Sequence, residues 1–382
     1  MADGIRAVTV PKWGLAMTEG TVVAWYANEG DQVKAGSDLV EIETPKITNL
    51  YESPASGVLR RCVAKVGETL PVGALLAVLA DEEIADAEID AFISQFAKDF
   101  VPESVAESGK EALKPQTAEI GGRRMRYLKM GEAETTPVIL IHGFGGDLNS
   151  WLFTQPILAQ EHPVYAIDLP GHGGSSKQAG RGDLTFMASA VFELMIALEL
   201  KSAHLVGHSL GGATAFDLAL SHPEHVKSLT LIAPVGFGPE INMEYVEGFM
   251  RASRPRQLRP FVERLFANPA LVSRKMLDDI ISYKRLDGAA EALSTIAGTV
   301  FKDGRQAVDL VPRIADLGVP LQIIWGESDR IIPAAHANGL PTSVRVHVVP
   351  GAGHMVQMEK AEEVNDVIEA FLRAYSVPSN EH

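Results

Sequence analysis

Residues 206–212 read Val206-Gly207-His208-Ser209-Leu210-Gly211-Gly212, and this stretch decides how the larger part of the chain folds. An apolar run, HLV, leads into it, and a helix-forming run, ATAFDLAL, follows it. Glycines on both sides of Ser209 permit a sharp turn between a strand and a helix, the nucleophile elbow, which presents a serine hydroxyl above a sheet. The stretch therefore predicts a strand, a presented serine and a helix in direct succession.

Length and composition are those of a globular protein with two or three domains. The 382 residues are 46% hydrophobic with a mean hydropathy of +0.06, and no apolar run approaches the roughly 20 residues that a membrane helix needs. The single cysteine, Cys62, excludes an intramolecular disulfide, and the N-terminus lacks the pattern of a secretory signal, so a cytoplasmic location is expected. The formal net charge of −15 argues against a nucleic-acid partner, because its phosphates would be repelled.

The first eighty residues contain an internal repeat. The pattern that begins at Gly20 and continues through Gly30 and Gly36 recurs 37 positions later, from Gly57 through Gly67 and Gly73. Short β-rich runs separated by glycine turns predict strands in each copy. Two matching halves predict a small all-β flattened barrel or sandwich over residues 1–80.

Lys46 lies between the two copies, in the run Glu41-Ile42-Glu43-Thr44-Pro45-Lys46-Ile47-Thr48-Asn49. Strand-like pieces flank the Thr-Pro-Lys sequence, so the lysine is expected near the tip of a turn. The repeat and this lysine resemble lipoyl and biotinyl carrier domains, and the run before Lys46 resembles the lipoyl version, although Pro-Lys-Ile replaces its usual Asp-Lys-Ala. The resemblance implies lipoate attached covalently to Lys46 by a lipoate ligase or transferase. A tethered group of this kind travels between sites at high effective concentration.

An acidic connector follows over residues 81–117. Residues 81–118 carry ten acidic side chains and three lysines, a net charge of −7. The apolar stripe of this segment either packs on the chain's own neighbouring domain or binds a partner subunit, and the rest is interpreted as a linker. The stripe recurs at helical spacing and predicts a short amphipathic helix that includes Ile89, Phe92, Ile93, Phe96 and Phe100.

From residue 118 to 376, apolar strand-like runs alternate with helical segments, which is typical of a mostly parallel sheet covered by helices. Residues 239–312 interrupt this alternation with helical sequence and predict an inserted cap, and residues 377–382 form a tail. Five motifs occur in order in this region: HGFGG, DLPGHGGSS, GHSLGG, WGESDRIIP and GAGHMVQMEKAEEV. Together they resemble the α/β-hydrolase superfamily. The resemblance implies a multidomain fold, with an all-β carrier domain followed by an α/β-hydrolase domain.

Three residues in these motifs predict a nucleophilic site. Ser209 is the candidate nucleophile and needs a base to take its proton, because a serine hydroxyl is hardly ionised at neutral pH. His354, directly after the predicted last strand, is the candidate base, and Asp329 is the acid that orients it, with Glu327 as the alternative. The order Ser, Asp, His is the one that this fold uses. The backbone N–H groups of Phe144 and Leu210 are the candidate oxyanion hole.

Other polar residues of this region have less specific interpretations. His208 is expected to pack or to form a hydrogen bond, and His142 and His172 are expected to hold loops. No Cys/His spacing of a zinc site and no phosphate-binding G-x-x-x-x-G-K-S/T loop occurs, so no metal is expected. Five arginines of the predicted cap form either a solvated helix face or a phosphate-binding edge for coenzyme A: Arg251, Arg254, Arg256, Arg259 and Arg264.

The combination of a lipoyl-type carrier and a serine triad resembles the acyltransferase subunits of acetoin dehydrogenase complexes. The resemblance implies transfer of an acetyl group from lipoamide on Lys46 to coenzyme A through Ser209, and it implies a thiamine-diphosphate-dependent acetoin dehydrogenase and a dihydrolipoamide dehydrogenase as partners. The His-x-x-x-Asp signature of 2-oxo acid dehydrogenase acyltransferases is absent from the sequence. Two alternatives stay open: a serine esterase or thioesterase that carries a lipoyl domain, and a scaffold with an inactive triad.

Overall fold

The computed structural model describes residues 4–11, 19–43, 48–100 and 114–375. The chain divides into two compact units, which are described separately. The first contains the described residues up to 100 together with residues 274–282, and the second contains the other described residues. Lys46, residues 101–113 of the predicted linker and the predicted tail 377–382 lie outside the described residues.

The first unit consists of two four-stranded antiparallel sheets around a shared apolar core. Its strands are β1 (Ile5–Thr9), β2 (Glu19–Trp25), β3 (Gln32–Val33), β4 (Asp38–Glu43), β5 (Thr48–Glu52), β6 (Gly57–Cys62), β7 (Thr69–Pro71) and β8 (Leu75–Ala80). One sheet has the order β1-β8-β6-β3 and the other has the order β5-β4-β2-β7. Alternate residues of both sheets form the buried core, among them Val8, Val22, Leu39, Ile42, Leu59 and Leu76.

The sequence repeat accounts for this arrangement. The positions that form β2, β3 and β4 in the first copy form β6, β7 and β8 in the second. Replacing each strand by its counterpart converts the order β8-β6-β3 into the order β4-β2-β7 of the other sheet. Gly30 and its counterpart Gly67 have φ values of +95° and +85°, which glycine adopts without steric cost. The predicted all-β fold of this unit is confirmed.

Helix α1 (Asp86–Asp99) packs on the same unit. Ile89 is fully buried with Leu75 and Val78 of β8, and partly buried aromatic and aliphatic residues of the helix extend this contact. The guanidinium of Arg60 donates to the Asp86 carboxylate at 2.7 Å and to the Ile84 carbonyl at 2.9 Å, which fixes the start of the helix. Of the two interpretations that the sequence left open for this stripe, the structure favours packing on the chain's own carrier unit.

The second unit is built on one eight-stranded sheet of order β18-β17-β14-β13-β11-β12-β10-β9. Strand β10 pairs antiparallel with both β9 and β12, whereas β12, β11, β13, β14, β17 and β18 are parallel to one another. The strands are β9 (Gln116–Ile120), β10 (Arg123–Met130), β11 (Val138–Ile141), β12 (Val164–Ile167), β13 (Ala203–His208), β14 (Val226–Ile232), β17 (Leu321–Gly326) and β18 (Arg345–Val349), with β15 (Phe301–Lys302) and β16 (Arg305–Gln306) forming a separate hairpin.

Helices connect the strands, and four of these helices fall within the predicted cap, between β14 and β17. The helices are α2 (Gln155–Leu158), α3 (Leu184–Ala197), α4 (Leu210–Ser221), α5 (Met243–Arg251), α6 (Pro255–Val262), α7 (Arg274–Lys284), α8 (Ala289–Val300), α9 (Val356–Glu359) and α10 (Ala361–Tyr375). Within the cap, a 3-10 turn over Glu263–Leu265 follows α6. The predicted mostly parallel sheet with helices is confirmed.

This sheet gathers the candidate residues at one edge. Phe144 follows β11, Ser209 follows β13, Asp329 follows β17 and His354 follows β18. All four strands are parallel, so their carboxyl ends meet at the same edge, where ligands of such sheets bind.

Candidate active site

Ser209 occupies a strained turn between β13 and α4. Its φ of 53° and ψ of −114° lie outside the regions that non-glycine residues prefer, at a cost of about 1–3 kcal/mol. The Ser209 N–H donates to the Ile232 carbonyl at 2.8 Å, and the first turn of α4 donates to the Ser209 carbonyl. Gly211 makes the turn possible, since a Cβ there would lie only 2.5 Å from the carbonyl oxygen of His142. The elbow that the sequence predicted is thus held from both sides.

His354 and Asp329 form a buried acid–base pair. His354 Nδ1 donates to Asp329 Oδ2 at 2.7 Å, and the two side chains are only 3% and 0% exposed. The other carboxylate oxygen accepts the N–H groups of Ile331 and Ile332 at 2.8 and 3.0 Å, and Trp325 Nε1 donates to Oδ2 at 3.1 Å. Asp329 is therefore fixed as an acceptor, and it holds His354 with the proton on Nδ1, which leaves Nε2 free to act as a base.

Glu327, the alternative acid, has a different position. Its side chain is exposed and forms no hydrogen bond within the described part of the chain. The geometry favours Asp329 over Glu327 as the partner of His354.

His208, the residue before Ser209, contacts His354. His208 Nε2 donates to the His354 carbonyl at 3.0 Å, and the two imidazole rings lie 4.7 Å apart. Among the described residues, the Ser209 hydroxyl forms no hydrogen bond with His354. Enzymes without substrate often have long catalytic hydrogen bonds that tighten in the complex. His208 therefore joins the loop that carries the base to the strand that carries the nucleophile.

The candidate oxyanion donors are backbone groups without partners. Within the described residues, the N–H groups of Phe144 and Leu210 donate no hydrogen bond. Leu210 is the first residue of α4, so its N–H also lies at the positive end of a helix dipole. Gly143 packs against the elbow, since a Cβ there would lie 3.1 Å from Cβ of Ser209. Backbone N–H donors of this kind are what an oxyanion hole requires, so Phe144 and Leu210 stay the candidates for that role.

Aromatic residues of the cap cover the loop that carries Phe144. The Phe144 ring lies 5.9 Å from the Phe249 ring of α5 and 6.0 Å from the Phe301 ring of β15. Gly145 has a φ of +73°, and a Cβ there would overlap the Phe249 ring. The cap therefore packs directly on the backbone around Phe144, the first candidate oxyanion donor.

Two buried side chains hold the loops around the site. His142 Nδ1 donates to the Gly143 carbonyl at 2.7 Å, and its Nε2 accepts the Leu169 N–H at 3.0 Å, so it joins the loops after β11 and β12. Sequence reasoning did not single out Asp168, which accepts the Leu148 N–H at 2.8 Å and an Arg126 guanidinium N–H at 3.1 Å. An acidic residue between a buried strand and a glycine-rich loop was the available signal.

Buried histidines are expected to make stability depend on pH. Burial lowers the pKa of His142 and of His204 to about 4, and it holds the pKa of His172 and of His208 well below the usual value. His142 and His204 bind protons near pH 6.5 in the unfolded chain but only near pH 4 in the folded chain. Each of these two groups therefore contributes stability at pH 7 that is lost as the pH falls from about 6.5 towards 4, on the order of 2 kcal/mol per group by pH 5, and His172 and His208 act in the same direction.

Scanning calorimetry between about pH 7.5 and pH 5 measures this effect. We expect the unfolding temperature to fall over that range, with a smaller slope in His204→Asn. The exposed His347 provides the matched control, since His347→Gln should keep the wild-type slope. An unfolding temperature that stays constant down to pH 5 would contradict the expectation.

The cap arginines are largely engaged in ion pairs. Arg254 and Arg256 are exposed and form no ion pair with a described residue. Two exposed arginines without an ion pair to a described residue, together with three that pair with glutamates of the cap, fit a solvated helix face better than a prepared phosphate site. The other three pair with glutamates of the cap: Arg251 with Glu247 at 3.4 Å, Arg259 with Glu263 at 3.3 Å and Arg264 with Glu244 at 2.6 Å.

Comparison with known proteins identifies both units. The family of the alpha/beta hydrolase fold matches residues 136–361, and the family described as biotin-requiring enzyme matches residues 6–79. The dihydrolipoyllysine-residue acetyltransferase component of the acetoin cleaving system of Pseudomonas putida is 48% identical over 97% of this chain and 99% of its own length. The chain belongs to this acetyltransferase family. The component of the same name from Cupriavidus necator is 45% identical over 96% of this chain and 97% of its own length.

The second unit of this acetyltransferase family member also has a known fold relative. A meta-cleavage product hydrolase from Pseudomonas fluorescens IP01 has a TM-score of 0.62 and 23% identity, and the match covers 68% of this chain and 97% of that chain. At this identity the likeness shows the fold alone. No helix among the described residues is both long and apolar enough to span a membrane.

Lipoate is the covalent cofactor of this acetyltransferase family. Lys46, the expected attachment residue, lies outside the described residues. Strands β4 and β5 on either side of it form an antiparallel pair in which Glu43 is opposite Thr48. Only residues 44–47 connect these paired strand ends, which fits an attachment lysine carried between the two halves of the unit.

Proposed function

We propose that this chain is the dihydrolipoyllysine-residue acetyltransferase of an acetoin cleaving system, and that it moves an acetyl group from a lipoamide thioester to coenzyme A through Ser209. The observation that carries the proposal is the similarity to proteins of that name, which extends through both the carrier unit and the unit with the triad. Lipoate on the ε-amino group of Lys46 would supply a dithiol that carries the acetyl group as a thioester.

Ser209 performs the first half of the transfer. His354 Nε2 takes the proton of the Ser209 hydroxyl while the serine oxygen attacks the thioester carbonyl. The carbon–sulfur bond then breaks, His354 returns the proton to the departing sulfur, and the acetyl group remains as an ester on Ser209. The buried pair of His354 and Asp329 supports this role, because it leaves Nε2 unprotonated and stabilises the imidazolium once it forms.

The second half runs the same chemistry towards a new acceptor. His354 takes the proton of the coenzyme A thiol, the sulfur attacks the acetyl ester, and Ser209 leaves with the proton that His354 returns. The unpaired N–H groups of Phe144 and Leu210 would stabilise the negative oxygen in both halves, each by roughly 3 kcal/mol. The aromatic cover over Phe144 limits the access of water, which would otherwise take the place of the thiol.

The proposed partners follow from the chemistry of this cycle. A thiamine-diphosphate-dependent acetoin dehydrogenase would load the acetyl group, and a dihydrolipoamide dehydrogenase would reoxidise the dithiol. A lipoate ligase or transferase would modify Lys46. These partners, like the single cysteine, are consistent with a cytoplasmic location.

Product analysis tests the proposal. The purified chain is supplied with S-acetyldihydrolipoamide, with and without coenzyme A, and acetyl-CoA and acetate are quantified together. We expect acetyl-CoA as the main product and slow acetate formation without the thiol. Acetate that forms equally fast with and without coenzyme A would make the chain a thioesterase, and no product of either kind would indicate a scaffold.

A further inference from the structure

One segment of the cap contacts both loops that carry the acid and the base. This segment, residues 263–268, follows helix α6. Arg330, next to Asp329, donates from its guanidinium to the Glu263 carbonyl at 2.9 Å and also to the Phe266 carbonyl. The Met355 N–H, next to His354, donates to the Leu265 carbonyl at 3.0 Å. The cap segment therefore lies against both catalytic loops.

Glu359 is the side chain that joins this segment to the histidine loop. Its Oε2 accepts the Gly353 N–H at 2.5 Å and the Ala267 N–H at 3.1 Å. Its Oε1 accepts the Asn268 N–H at 3.0 Å. One carboxylate thus satisfies three backbone donors, one directly before His354 and two in the cap segment.

Gly353 shows how closely the two pieces of backbone approach. A Cβ at this position would lie 2.6 Å from the Ala267 nitrogen and 2.8 Å from the Leu265 carbonyl oxygen. No side chain fits between the histidine loop and the cap segment here. The two backbone segments are therefore joined here by hydrogen bonds, including those of Glu359, and not by side-chain packing.

We propose that Glu359 is a positioning residue for His354, and that it ties the placement of the base to the docking of cap segment 263–268. This inference rests on the role proposed for His354. The carboxylate holds the N–H of Gly353, the residue before His354, so it sets where the imidazole stands between Asp329 and Ser209. Hydrogen bonds from backbone N–H groups to a carboxylate are about twice as strong as those between neutral groups, which suits a single fixed position.

Two substitutions distinguish the two hydrogen bonds to Oε2 of Glu359, which include the one from Gly353, from the hydrogen bond to its Oε1. Glu359→Ala removes all three hydrogen bonds. In Glu359→Gln, the amide oxygen can still accept from Gly353 and Ala267, whereas the amide nitrogen cannot accept from Asn268. Glu362→Ala is the matched control, because Glu362 is an exposed carboxylate of α10 with no hydrogen bond to a described residue.

With the full chain, the experiment measures KM for acetyl transfer and kcat per labelled site. It also measures the rate constant with which a fluorophosphonate labels Ser209. A base displaced by about 1 Å costs roughly 100-fold in rate, so we expect Glu359→Ala to lower kcat and the labelling rate by about 30- to 100-fold. KM should stay within about threefold, Glu359→Gln should recover most of the rate, and Glu362→Ala should match the wild type.

Two results would overturn the inference. One is a kcat of Glu359→Ala within about twofold of the wild type per labelled site, whatever happens to its unfolding temperature. The other is an equal loss of kcat and labelling rate in Glu359→Gln and Glu359→Ala, which would show that the hydrogen bond from Gly353 does not account for the effect. The labelling rate needs neither coenzyme A nor lipoamide, so it tests Glu359 even if the chain does not transfer acetyl groups.

Discussion

Replacing Ser209 with alanine is expected to reduce acetyl transfer to coenzyme A by roughly 10⁵- to 10⁶-fold, the loss seen when a serine nucleophile is removed from a triad. The reason is that the elbow presents this hydroxyl at the edge of the sheet where the pair of His354 and Asp329 lies. Acetyl-CoA formation from S-acetyldihydrolipoamide measures the loss, and a mass measurement of the intact chain checks that Lys46 still carries lipoate.

The matched control is Ser221→Ala at the other end of the same helix. Ser221 is exposed, and its hydroxyl donates only to the Asp217 carbonyl at 2.9 Å, so this variant should keep the wild-type rate. If Ser209→Ala retained more than about a tenth of the wild-type rate, the acetyl group would have to move directly to the thiol without an ester on Ser209.

Replacing Lys46 with arginine is expected to abolish covalent lipoate and, with it, acetyl transfer in the assembled complex. Arginine keeps the positive charge, but its guanidinium is always protonated and does not form the amide that joins lipoate to the chain. Transfer from free S-acetyldihydrolipoamide should remain within about twofold of the wild type, since Ser209 and His354 are untouched. Intact-mass analysis and the two activity assays together measure this separation of the carrier from the catalytic site.

Lys34→Arg serves as the control, since Lys34 is another exposed lysine of the first unit. It should be lipoylated and active like the wild type. Lipoylation of Lys46→Arg, or full activity of that variant in the complex, would move the attachment point to another residue.

The fold of the first unit was predictable because it depends on short-range sequence features, the strand-forming runs and glycine turns of the repeat. Each copy of the repeat places glycines at the same turns, and Gly30 and Gly67 adopt similar positive φ values. The location of helix α1 was not predictable from the sequence. An amphipathic stripe predicts that Ile89 is buried, but it does not predict which surface covers it. The contact with Val78 of β8 depends on the assembled sheet.

The candidate site was predictable for the residues that follow strands. Ser209, Asp329 and His354 each come within a few residues of the end of a strand, and parallel strands bring their carboxyl ends together. The side chains that hold these loops were missed. Glu359 reaches backbone more than ninety positions away, and Asp168 accepts from Leu148 twenty positions earlier, so only the folded chain reveals their partners.

The central claim is that the acetyl group rests on Ser209 between its donor and coenzyme A. The most direct measurement mixes the chain with excess S-acetyldihydrolipoamide without coenzyme A, isolates the peptide that contains Ser209, and determines its mass before and after coenzyme A is added. We predict an acetylated Ser209 peptide that persists until the thiol is added and then disappears as one equivalent of acetyl-CoA forms. An unmodified Ser209 peptide, or an ester that releases acetate at the same rate with and without coenzyme A, would contradict the account.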